Sequence, residues 1–288
     1  MAVYERTYKR YTGEVTATAT RLLIIPRYAF KDVFKSKLFT GFFALCFVFP
    51  LFGTGWIYLA NNLDFLAAFP GAEDGMKEFL KIDGDFFQVF MNIQAWLAFV
   101  IALIVGPGLI SKDLANNGLP LYLCRPFSRT EYVLGKLTVL GILLSAVTWG
   151  CGLWLFLIQT NFEGLGWAWT NLHLAAGVLV GSGAWILTIS LLALAVSAWV
   201  RWRPVAAFMM LMLVLVGMFF GGFASALFRT EWPFVFNLGF ALNSIWVGLF
   251  DLPPTDPPLL GSWAVLAALA VGSLFLLHRK IRAYEVVS

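Results

Sequence analysis

Six charge-free apolar runs divide the chain: Leu38–Leu59, Phe86–Ile110, Leu137–Gln159, Leu172–Val196, Pro204–Phe228 and Leu259–Leu277. Each is close to the roughly 20 residues that carry an α-helix across about 30 Å of hydrocarbon. Lipid offers a backbone no hydrogen-bond partners, so a spanning segment must be a helix or part of a closed barrel. A barrel would show alternating segments of roughly ten residues, and these runs are continuous. The pattern predicts an all-α polytopic membrane protein with six transmembrane helices. It has three parts: an N-terminal arm (1–37), a six-helix transmembrane domain (38–277) and a short tail (278–288).

Two further stretches carry a pattern of their own. From Pro26 to Leu38, Ala29, Phe30, Val33, Phe34 and Leu38 recur at helical spacing among Arg27, Lys31, Asp32, Lys35 and Lys37, which predicts an amphipathic helix lying at the membrane surface with Pro26 in its first turn. The run Trp232–Phe250 is charge-free but interrupted by Asn237, Gly239, Asn243, Ser244 and Gly248. A seventh crossing there would put the tail on the opposite face from the arm. We read the run as a re-entrant hairpin between the fifth and sixth helices, where irregular backbone is tolerated if protein or water covers it.

Charge orients the bundle. Seventeen of the 20 basic residues fall in the N-terminal arm, the second and fourth connections and the tail. The opposite face keeps only Lys77, Lys81 and Arg229 and gathers acids such as Asp64, Glu73, Asp74 and Glu78. Retention of positive charge on the cytoplasmic side predicts both termini inside and, in a bacterial cell, residence in the inner membrane. Composition agrees, with 60% hydrophobic and 12% charged residues and a mean hydropathy of +0.81. The pI near 9.0 reflects these membrane flanks rather than an aromatic-interleaved patch for nucleic acid. No secretory signal core precedes the first span, which serves as its own insertion signal.

Candidate chemistry is sparse. Cys46, Cys124 and Cys151 show no disulfide or metal spacing, and no metal site is expected. His173 and His278 sit at helix ends, where a polar ring is readily solvated. Ser182, in Gly181-Ser182-Gly183, and His278 would have to reach hydrogen-bonding distance to act as nucleophile and base, but they belong to different depths. Gly177, Gly181, Gly183 and Ala184 read better as a close-packing face. Gln88, Asn92 and Gln94 on the second helix are candidates to line a polar path, with packing against a neighbouring helix as the alternative. Gln88 and Asn92 are one turn apart on one face.

The connection Ile110–Lys136 is the most structured polar stretch. Asn116, Asn117, Gly118 and Pro120 mark a turn. Ser128 and Glu131 form a Ser-x-x-Glu capping box that opens a helix into the third span, and Pro126 stops any helix arriving before it. This makes a compact elbow, preceded by Lys112 and Asp113, whose exposed apolar and basic surface is expected to consist of Leu119, Leu121, Tyr122, Leu123, Arg125, Phe127 and Tyr132.

Residues Tyr122, Leu123, Arg125, Pro126, Ser128, Arg129, Tyr132, Gly135 and Lys136 resemble the L-x-x-P-x-S-R-x-x-x-x-x-G-K segment of ABC-2 type transporter permeases, the membrane subunits of ATP-binding-cassette exporters. The layout is similar along nearly the whole chain: six spans, an amphipathic helix before the first, a coupling helix between the second and third, and a membrane-dipping hairpin between the fifth and sixth. Asn116-Asn117-Gly118 departs from the Gly-Thr turn of many relatives. The resemblance implies that the chain forms a translocation path and is no enzyme. A separate ATP-binding subunit, using ATP and Mg, would push on the elbow through Lys112, Asp113, Leu119, Tyr122, Arg125, Pro126, Phe127, Ser128, Arg129, Glu131 and Tyr132. It also implies a homodimer or a pair of related permeases in membrane lipid. Consistently, Gly135-Lys136-Leu137-Thr138 lacks the spacing and context of a P-loop, so no cofactor is expected to bind directly. The alternatives are a secondary transporter, disfavoured because no predicted span holds a charge, and a membrane scaffold or assembly subunit without transport.

Overall fold

The computed structural model describes residues 18–62, 79–116 and 129–280, and these are helical with short connections. We number the α-helices α1 (Thr18–Val33), α2 (Lys37–Leu45), α3 (Val48–Asn61), α4 (Gly84–Val105), α5 (Pro107–Ala115), α6 (Arg129–Val147), α7 (Trp149–Glu163), α8 (Leu165–Thr170), α9 (Leu172–Trp199), α10 (Arg203–Phe228), α11 (Leu238–Leu249) and α12 (Leu259–Lys280). A 3-10 turn, Trp232–Phe236, precedes α11. Among the described residues, six stretches are long and apolar enough to cross a membrane: Lys37–Asn61, Gly84–Ala115, Thr130–Glu163, Leu172–Trp199, Arg203–Phe228 and Leu259–Lys280. The protein is thus an integral membrane protein with the expected all-helical class.

Burial ranks the spans. The fourth is 72% buried over its most apolar window and the sixth only 17%, so α9 is the central post and α12 a flank. Its Trp185 is almost wholly enclosed and donates its indole N–H to the Ala95 carbonyl of α4 at 3.0 Å. A buried indole donor needs such a partner.

The first three spans are each broken, for identifiable reasons. Pro50 has no N–H to offer the Cys46 carbonyl, and the helix turns at Cys46 and Phe47 between α2 and α3. Gln94 of α4 donates its side-chain amide to that carbonyl at 3.5 Å. Pro107 breaks the second span, and the N-terminal amides of α5 need acceptors. Ser197 of α9 supplies one: its Oγ accepts from the backbone N–H of Ile110 (3.1 Å) and Ser111 (2.9 Å) and donates to the Pro107 carbonyl at 2.8 Å. In the third span, Thr148 turns its hydroxyl onto the Leu144 carbonyl at 2.8 Å, back-bonding of the kind that bends helices.

Ser197→Ala would leave two buried amides without this acceptor, so we expect a loss of about 1–3 kcal/mol. Thermal unfolding in detergent checks it; an unchanged midpoint would mean that the break is held by packing alone.

Two boundaries differ from the sequence reading. The amphipathic helix begins at Thr18 and ends at Val33, with Pro26 inside it; Leu38 belongs to α2 instead. Packing accounts for the shift. Ile25, upstream of the proline, is buried against Gly135 of α6, where a Cβ would stand 3.0 Å from the isoleucine Cδ1. The run Trp232–Phe250 folds as the 3-10 turn and the 12-residue helix α11, about 18 Å long and too short to cross.

Candidate functional site

The expected elbow lies between α5 and α6. Leu119, Tyr122, Arg125, Pro126, Phe127 and Ser128 fall outside the described residues, as do Cys124 and the side chain of Arg129. Both flanks of the elbow are defined, however, and they are tied to each other. Tyr132 and Lys136 stand one turn apart on α6, so they share a face. The Tyr132 hydroxyl donates to Asp113 Oδ2 of α5 at 2.7 Å. Lys136 Nζ lies 2.9 Å from the same oxygen and 5.5 Å from the centroid of the Tyr132 ring.

This knot is enclosed. The side chains of Lys136 and Asp113 are 9% and 19% exposed, and Tyr132 is fully buried. Tyr132, expected on the exposed face of the elbow, therefore points inward. Its place in the helix period fits either direction, and the Asp113 carboxylate decides between them.

The preceding residue reaches the other way. Lys112 Nζ meets Asp32 Oδ2 of α1 at 2.7 Å, with both side chains half exposed. Its hydrogen bond, and then its charge, hold the Asp32 carboxyl below the usual carboxylate range. A lowered acid pKa means that the attachment is at full strength at neutral pH and is lost only as pH falls through the lowered value. Exposure and salt keep its energy small.

Neighbours in sequence, Lys112 and Asp113 thus fasten the last turn of α5 to two different helices. One is α1, ahead of the first span; the other is α6, at the root of the third. The cation suits the C-terminal end of α5, whereas Asp113 does not and depends on Lys136 and Tyr132. Glu131, in the first turn of α6, is an acid favourably placed near a helix N-terminus.

The three polar-path candidates separate. Gln88 and Asn92 donate their side-chain amides to Asn243 Oδ1 of α11, at 2.5 and 2.8 Å. Gln94 serves the broken first span instead. The Gln88–Asn92–Asn243 cluster clamps α11 to α4, and glycines seat α11 on α9. A Cβ on Gly181 would come within 2.2 Å of the Trp246 ring, and one on Gly177 within 2.9 Å of Phe250. Gly183 meets no such neighbour.

The Ser182 and His278 pairing fails geometrically. The Trp199 indole donates to the Leu276 carbonyl at 3.4 Å, which sets His278 level with the end of α9. Ser182 is 17 residues earlier, about 25 Å away along the helix. His173 and His278 are both exposed at helix ends.

The sequence reading gives Asp32, Lys136, Arg203 and Asn243 no place among the site residues. A signal existed for two of them: Asp32 is the one acid in its basic amphipathic run, and Lys136 follows Tyr132 at helical spacing. The family model described as ABC-2 family transporter protein matches residues 23–232, from α1 to the start of the 3-10 turn. No curated protein matches the chain.

Proposed function

The chain belongs to the ABC-2 family of transporter proteins, and from that membership we propose that it is the permease subunit of an exporter driven by a separate ATP-binding subunit. Family membership and six spans make it the membrane component of an ABC-type transporter. Export, the partner and the route of coupling are our reading. The observation that carries it is the double fastening of α5. A push on residues 117–128 would bear on α5 and α6 together, and Lys112 would pass it to α1. Force would then reach the first, second and third spans from one contact, because packed helices shift as units rather than deform continuously.

ATP and Mg would be held by the partner, whose closure supplies the stroke. Two copies of this chain, or this chain and a related permease, would enclose the path. Both termini and the elbow would face the cytoplasm of the inner membrane, as the basic flanks direct. The interfacial placement of α1 and the dipping of α11 into the membrane from the opposite face belong to the same reading.

A secondary transporter would need an ionisable group within its bundle. The carboxylate of Asp113 is enclosed, but it lies in the last turn of α5 and is matched by Lys136. The test is reconstitution of the full chain in proteoliposomes with a cassette ATPase that co-purifies with it. We expect a stable complex whose hydrolysis depends on the permease and whose cargo movement stops without ATP. Cargo movement driven by an ion gradient with no ATPase present would overturn the reading.

A further inference from the structure

A cavity of about 490 Å³ lies beneath α1, bounded by the α4–α5 junction and the first turn of α10. Its size is in the range of small-molecule and lipid-headgroup pockets. One part of its wall is apolar, formed by Val33, Phe39, Ile104 and Val105; the other carries Lys112, Lys136 and Arg203 with Asp32 and Asp113. The two lysines are each matched by one of the two carboxylates. Arg203 is the remaining cation. Among the described residues it has no carboxylate at ion-pair distance, and its one hydrogen bond is from Nη2 to the Ile104 carbonyl at 2.7 Å.

A guanidinium presents five donors in a planar fork, which suits the oxygens of a phosphate. Most of that fork is unused. The lack of a side chain at Gly108 makes room for it: a Cβ there would stand 3.3 Å from Arg203 Nε. The cavity therefore combines one unmatched positive charge with an apolar wall. Arg27 and Lys31 of α1 and Lys35 just beyond its end are exposed, a basic surface of the kind that gathers anionic lipid.

We propose that this cavity is a binding site for an anionic phospholipid, with the phosphate on Arg203 and the start of an acyl chain against Val33, Phe39 and Ile104. Charge complementarity selects an acidic headgroup, and the apolar wall selects a lipid over a free anion. Occupied, the site braces α1 against the α4–α5 junction, beside the Lys112–Asp32 attachment. The proposal stands whether or not the coupling route above is correct, because its test requires no ATPase.

The full chain, purified in neutral detergent, is titrated with phosphatidylglycerol, phosphatidylcholine or inorganic phosphate, and its thermal midpoint is followed. Phosphatidylglycerol is expected to raise the midpoint, and the other two are not. Arg203→Gln is expected to abolish the rise, while Arg201→Gln, which removes a nearby exposed charge outside the cavity, keeps it. Ala29→Trp, which fills the cavity and leaves Arg203 in place, is also expected to abolish it and decides the matter if Arg203→Gln does not fold. A full rise in Ala29→Trp, equal losses in the two arginine variants, or an equal rise with phosphate or phosphatidylcholine would overturn the proposal.

Discussion

Arg125→Glu combined with Arg129→Glu is expected to leave the chain inserted and folded but unable to hold its ATPase partner. Arg125 belongs to the segment between α5 and α6 and Arg129 opens α6, and both cations would become anions facing a surface shaped for positive charge. Close interfacial charge pairs show coupling energies of about 1.5–7 kcal/mol. Losing even one such pair weakens a complex at least tenfold, and reversing two replaces attraction by repulsion. Insertion should survive, because Arg6, Lys9, Arg10, Arg21, Arg27, Lys31, Lys35 and Lys37 precede the first span and the first helix usually dominates orientation. Co-purification from detergent extracts measures the loss, and the accessibility of a tag after Ser288 checks the topology. Unchanged co-purification together with unchanged ATP-dependent transport would refute the contact.

The spans were legible because the bilayer imposes one length on them, and charge-free runs of that length announce themselves. Their breaks were half legible. Pro50 and Pro107 stand in plain view, but what holds each break is Gln94 or Ser197, on a different helix far along the chain. Thr148 gave no warning, since a threonine bends a helix only when its hydroxyl turns inward. The amphipathic helix was found by its period but started too late, because Pro26 favours a first turn and only the contact of Ile25 with Gly135 outweighs that preference.

At the site, helical spacing put Gln88 and Asn92 on one face correctly. It could not say what that face meets, because Asn243 lies 151 positions from Asn92. Tyr132 was misplaced for the same reason. Its aromatic ring suits an exposed docking surface or a core, and the deciding carboxylate is on another helix. Periodicity orders residues around one axis, and only packing fixes how that axis is turned.

Asp113→Ala is expected to be among the most destabilising single changes in the described part of the chain, at about 3–5 kcal/mol. The enclosed Lys136 ammonium would lose its one ion-pair partner among the described residues, and the Tyr132 hydroxyl would lose the acceptor at 2.7 Å. Most of that cost comes from a stranded charge, so it should disappear when the charge does. Asp113→Leu with Lys136→Met replaces the pair by apolar groups of similar bulk, an exchange that is often neutral or better. We therefore expect the double variant to recover most of the loss, to within about 1–3 kcal/mol of the parent because the Tyr132 hydroxyl still lacks this acceptor, a strongly non-additive cycle. Stability and transmission would then separate. The double variant should be well folded and should still bind its ATPase, but α5 and α6 would no longer be locked by charge, and ATP-driven transport should fall while hydrolysis continues. Thermal unfolding of the parent, Asp113→Leu, Lys136→Met and the double variant gives the cycle, and transport per ATP hydrolysed gives the coupling. Parental coupling in a stable double variant would mean that the Asp113–Lys136 pair serves folding alone and that the stroke reaches the spans by packing.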